Sequence, residues 1–191
     1  MAKARTELRN FLTARTSEQL VEEVMILHER FPAVREYFAA RLTVAAGEEV
    51  FANYARQIEQ EFNTAARNLK GRPSRGREIL RAYKQVAVSN KDIVELTLLY
   101  VSAVLSFIRA FGIREDAYFR TVESAFLEAA AAATKHGLAG ELAGAFEQVI
   151  KEAMDTWEDL AFELRDVADR YAVSAEEAPP NSAQQPTRPR S

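Results

Sequence analysis

The chain has 191 residues, 48 % of them hydrophobic and 28 % charged, with a formal net charge of −3. That length and composition fit one globular core burying about 70 % of the unfolded surface, with no need of disulfides or a structural metal. The absence of cysteine excludes disulfides, iron–sulfur clusters, thiolate zinc sites and cysteine nucleophiles, and the acidic balance is not, as a whole, a match for nucleic acid or an anionic membrane.

The first twenty residues, MAKARTELRNFLTARTSEQL, carry early positive charge but neither the unbroken apolar stretch nor the small-residue cleavage site of a secretory signal, so a cytoplasmic protein is expected. The longest uncharged apolar stretch, Leu96 to Ile108, has 13 residues. As a helix it spans roughly 20 Å against about 30 Å of hydrocarbon, so no membrane crossing is expected.

Helical periodicity dominates as far as about Val173, and no segment shows the alternation of a strand. The expected fold is all-α: one irregular bundle of about seven to nine helices over residues 1–173, followed by a disordered tail at 174–191. A short helix near Thr6 to Thr13 leads to a second starting at Thr16 or Ser17, where Thr16 and Gln19 have capping-box spacing. Its apolar face is Leu20, Val21, Val24, Leu27 and Phe31. Pro32 suits the first turn of a third helix, which Gly47 is expected to end.

From Glu48 to about Leu69 the residues Phe51, Tyr54, Ala55, Ile58, Phe62, Ala65 and Leu69 form an apolar stripe, opposed by Arg56, Gln57, Glu59, Gln60 and Arg67. The segment GRPSRGR, Gly71 to Arg77, breaks this pattern. Ser74 is the expected cap of the next helix, about Arg77 to Val88, and Asn90 of the one after it. That helix, Lys91 to Phe111, is apolar around most of its circumference and should be the most buried element. Gly112 ends it, and a helix from about Glu115 to His136 follows, presenting Phe119, Val122, Phe126, Ala129 and Ala133 before Gly137.

Leu142, Phe146, Val149, Ala153, Trp157, Leu160, Leu164, Val167 and Tyr171 then sustain helical spacing without proline or glycine, which reads as one long helix or two with a kink. The residues from Ser174 to Ser191 hold four of the six prolines and no large apolar side chain, a composition that cannot offset the entropy of ordering.

Catalytic motifs are missing. The residues three before His28 and His136 are Met25 and Ala133, not the glutamates of a di-iron bundle, and neither H-E-x-x-H nor G-x-S-x-G occurs. Gly71 to Gly76 has the glycine spacing of a phosphate loop, but Arg77 and Glu78 stand where Lys and Ser/Thr are required. Both histidines fall at helix ends, where a cation favours the dipole. Glu152, Asp155 and Asp159 are spaced to share one helical face, as a divalent cation or acid–base chemistry would require, yet the neighbouring apolar stripe directs them to water. No catalytic residue, cofactor or metal site is expected.

Charge is unevenly distributed. Arg67, Lys70, Arg72, Arg75, Arg77, Arg81 and Lys84 stand against the single acid Glu78, a local +6 in a chain of −3, and residues 141–177 sum to −8. Arginine's planar fork suits phosphate or carboxylate, which makes Arg72, Arg75, Arg77 and Arg81 the candidate contacts. Pairing with the acidic last helix, within a chain or between copies, is the first expectation and a protein partner the second. Nucleic acid ranks below both, because Tyr83 alone is placed for base stacking.

Three stretches, SEQLVEEVMILHERFPAVREYF, SRGREILRAYKQVAVSNKDIVELTLLYVSAVLSFIRAFG and REDAYFRTVESAFLEAA, resemble the small bacterial proteins catalogued as domain of unknown function 6155, over approximately residues 5 to 172. The resemblance implies an all-helical bacterial cytoplasmic protein and carries no activity, substrate or catalytic residues.

Overall fold

The computed structural model describes residues 2–63 and 71–176. Among these the fold is all-α: α1 (Ala2–Thr13), α2 (Ser17–Arg30), α3 (Pro32–Leu42), α4 (Val44–Glu61), α5 (Pro73–Val86), α6 (Asn90–Phe111), α7 (Asp116–Lys135), α8 (Ala139–Met154) and α9 (Glu158–Glu176). The last helix runs to Glu176, past the expected tail start at Ser174, and residues 177–191 lie outside the described residues.

Several boundaries follow from local chemistry as expected. Thr16 and Gln19 form a reciprocal capping box on α2, the Thr16 hydroxyl accepting from the Gln19 N–H at 3.3 Å and the Gln19 side chain from the Thr16 N–H at 3.1 Å. Pro32 opens α3 in the first turn. Gly112, at φ 61°, closes α6 in the left-handed conformation, and the Ile113 N–H reaches back to the Ile108 carbonyl at 3.1 Å.

Other boundaries fall elsewhere. The third helix ends at Leu42, not at Gly47: Thr43 adopts extended backbone and its hydroxyl caps Ala46 at 3.1 Å, so α4 begins at Val44 and Gly47 lies within it. Gly47 is small because α3 comes close there; a Cβ would sit 3.0 Å from the Ala40 carbonyl oxygen. The fourth helix stops at Glu61, so Ala65, Arg67 and Leu69 lie outside the described residues. Ser74 does not cap α5: Pro73 already occupies its first turn and Arg72 is the cap position. Ser89, one residue before Asn90, caps α6 by accepting from Lys91 at 3.0 Å.

The long C-terminal pattern divides into α8 and α9, which fold back on each other, with the exposed Glu147 and Arg165 paired across the seam. Thr156 makes the break without proline or glycine. Its hydroxyl donates to the Glu152 carbonyl at 2.8 Å, while its N–H turns to Ala153 at 2.9 Å. Glu152, Asp155 and Asp159 therefore do not share one helical face, since Asp155 caps α8 and Asp159 lies in the first turn of α9.

The core is organised around α6, which packs against α4 and α5 on one side and α7 and α8 on the other. Leu96, Tyr100, Val101, Val104, Leu105, Phe107 and Ile108 are all buried, whereas Leu99 is half-buried. With 22 residues, α6 is by length and composition sufficient to cross a bilayer, longer than the 13-residue stretch suggests, but more than half of it is buried among other helices. The first two helices stand apart: among the described residues α2 packs mainly on α3, and α1 makes no extensive packing with another helix.

Candidate functional site

The basic segment is held at its start by a buried carboxylate. Glu61, 8 % exposed, accepts from the Arg72 N–H at 3.1 Å and its Nε at 3.0 Å, and the Glu61 carbonyl accepts from Gly71 at 2.8 Å. One residue at the end of α4 thus fixes the start of α5. Along α5, Arg75 pairs with Glu78 at 2.8 Å and Arg77 with Glu128 of α7 at 2.9 Å. The Arg77 guanidinium also donates to Ser124 and lies 5.9 Å from the Tyr100 ring centre. Lys84 shares Glu128 at 3.4 Å, and Arg81 donates to the Arg77 carbonyl at 3.3 Å.

Arg72, Arg75, Arg77 and Arg81 therefore lie along one stretch, but three of the four already hold carboxylates. Within the chain their acidic partners are Glu61, Glu78 and Glu128, not the last helix, which was expected to complement them within a chain or between copies. Arg67 and Lys70 lie outside the described residues. A guanidinium committed to a carboxylate must surrender that contact to take a phosphate, which lowers the net gain of anion binding.

The histidines sit where helix ends place them. His28 is half-buried near the end of α2, and its carbonyl accepts from Arg35 at 3.5 Å. His136 is exposed in the α7 cap position, its Nδ1 accepting from Asn90 Nδ2 at 3.2 Å. Among the described residues no group of three or more His, Asp or Glu side chains is arranged to hold a metal.

Two arrangements of titratable side chains could not be read from sequence, because both join residues from different helices. A cleft of about 700 Å³ opens between the α3–α4 and α5–α6 turns, lined by Arg41, Val44, Phe51, Tyr83, Asp92 and Glu95. Tyr83 lies in its floor, and burial, with Asp92 and Glu95 nearby, pushes its hydroxyl above the usual phenol range. Arg41 edges the cleft, stacked 3.5 Å from the Tyr37 ring centre and donating to the Val86 and Ala87 carbonyls at 2.9 and 3.0 Å. Elsewhere, Glu123 of α7 and Glu163 of α9 line one pocket; burial and that second carboxylate raise the Glu123 pKa.

The N-terminal helices present a different surface. No residue of α2 is buried, and Val21, Val24, Met25, Ile26 and Leu27 are exposed, Val21 by 63 %. On α1, Leu8, Phe11 and Leu12 are exposed as well. The α2 stripe read from the sequence is thus real but left uncovered. Such contiguous apolar exposure is unusual on a monomer's surface and marks contact sites.

Fold and surface together define an α-helical bundle with an exposed amphipathic pair of helices at its amino end. No family model matches the chain, and no curated protein or solved structure matches it either.

Proposed function

We propose that this is a non-enzymatic cytoplasmic protein that works through protein–protein contact, with α1 and α2 as the contact surface. The observation that carries this reading is α2 itself: a capped, regular helix that buries none of its residues while exposing five consecutive or near-consecutive large apolar side chains. Uncovered, such a face costs hydration free energy; covering it by another chain recovers roughly 25 cal/mol per Å² of apolar surface. The basic segment serves the fold in this reading, because its arginines tie α5 to α4 and α7.

The test is capture from native cell extract with the full chain, with Val21→Asp/Met25→Asp and with Arg75→Ala/Arg77→Ala. Loss of a protein partner in the α2 variant alone supports the reading. Nucleic acid bound at physiological salt by the wild type, with a steep salt dependence that the arginine variant abolishes, overturns it in favour of phosphate binding at the basic segment.

A further inference from the structure

The two N-terminal helices carry opposite charges beside their apolar stripes. Over α1 and the turn after it, Lys3, Arg5, Arg9 and Arg15 stand against Glu7, a net +3; over α2, Glu18, Glu22, Glu23 and Glu29 stand against Arg30, a net −3. Arg5, Leu8, Arg9 and Leu12 follow one another at helical spacing and, with Arg15 and Leu20, line a groove of about 500 Å³ between α1 and the start of α2. On α2, Val21 and Met25, 63 % and 52 % exposed, are edged by Glu18, Glu22 and Glu29 at the same spacing. Within one chain the contact between the two helices is slight, with Arg15 and Glu23 paired at 3.8 Å.

We propose that the occupant of this surface is a second copy of the chain, related by a two-fold axis, so that α2 of each copy seats its Val21–Met25 edge in the α1 groove of the other. This rests on the reading of α1 and α2 as the contact surface and names their partner. The charge pattern selects it. A groove rich in arginine calls for an apolar edge flanked by acids, and this chain carries one on its next helix. A two-fold axis uses the same match twice, which is how an isologous interface closes.

An anionic bilayer would attract α1 but be repelled by the four acids of α2, and nucleic acid meets the same obstacle.

Analytical ultracentrifugation of the full chain tests the proposal by charge reversal. The wild type should sediment as a dimer at micromolar concentration. Arg5→Glu/Arg9→Glu makes both N-terminal helices acidic and Glu22→Lys/Glu29→Lys makes both basic, so each variant alone should dissociate, its Kd rising by roughly tenfold or more as several rim pairs turn repulsive. An equimolar mixture of the two should dimerise again, since every reversed contact then meets its opposite. All four positions are exposed, and circular dichroism of each variant checks that the helices persist.

A wild type that stays monomeric at all concentrations overturns the proposal, as does a dimer that both variants leave intact. A monomer that floats with vesicles containing phosphatidylglycerol also overturns it and makes lipid the occupant. If the wild type is monomeric yet the Val21→Asp/Met25→Asp variant loses capture of a different protein, the second copy is excluded while the contact surface stands. A monomer that captures nothing removes both.

Discussion

Tyr100 lies against the backbone of Gly76, so close that a Cβ on Gly76 would overlap the tyrosine ring. The ring is held in place, since its hydroxyl donates to the Pro73 carbonyl at 2.9 Å and its edge meets Phe62 with centroids 5.7 Å apart. The approach of α5 to α6 therefore depends on a missing side chain. Gly76→Ala gains about 1 kcal/mol of helix propensity but forces the ring or the helix to move, at about 1–3 kcal/mol. The expected net result is a lower midpoint in thermal melts, and a raised midpoint would show that the helices can separate freely.

The central helix allows an internal comparison. Leu105 is buried to 1 % exposure, whereas Leu99 on the same helix is half-buried. Leu105→Ala should cost about 2–5 kcal/mol through lost transfer energy and a cavity. Leu99→Ala should cost clearly less. Urea denaturation of both variants checks the order.

The Glu123–Glu163 contact predicts a pH dependence of definite sign. Burial and the neighbouring carboxylate raise the Glu123 pKa in the folded state above the ordinary glutamate value, so the folded protein holds this proton more tightly than the unfolded chain does. The contact therefore disfavours folding above the folded pKa, and this penalty fades as pH falls toward the unfolded value. Glu123→Gln, which keeps a hydrogen-bond donor without the charge, should raise the melting midpoint at pH 7 and lose that advantage near pH 4. An advantage that is the same at both values would contradict the assignment.

Glu61 and Arg72 differ in what their removal leaves behind. Glu61→Ala withdraws the acceptor of both the Arg72 backbone N–H and its guanidinium, whereas Arg72→Ala removes the guanidinium and keeps the backbone N–H bond to the carboxylate. Each should lower the melting midpoint, Glu61→Ala further. A double-mutant cycle measures the coupling, and additive effects would mean that the pair does not tie α4 to α5.

The sequence disclosed those features whose cause is local. Thr16, Pro32 and Gly112 mark helix ends because capping geometry involves only neighbours in the chain. Gly47 misled for the opposite reason: a glycine that ends a helix and one that admits a neighbouring helix look alike until Ala40 is seen beside it. The break at Thr156 was hidden because a hydroxyl, not a proline, diverts the backbone. The charge of Arg72 to Arg81 was legible, but not its partners, since Glu61 and Glu128 are brought there by tertiary packing. The α2 stripe reads the same whether covered or bare, so its exposure could only be seen in three dimensions.

The position of α6 decides how the bundle comes apart. It supplies packing surface both to α4 and α5 before it and to α7 and α8 after it, so loss of either pair strips part of its cover. Amide protons of α4 to α8 should then exchange through a single global opening, with no protected subset. The first two helices, joined to this unit mainly through α3, exchange on their own, far faster, and can change partners without disturbing what lies beneath.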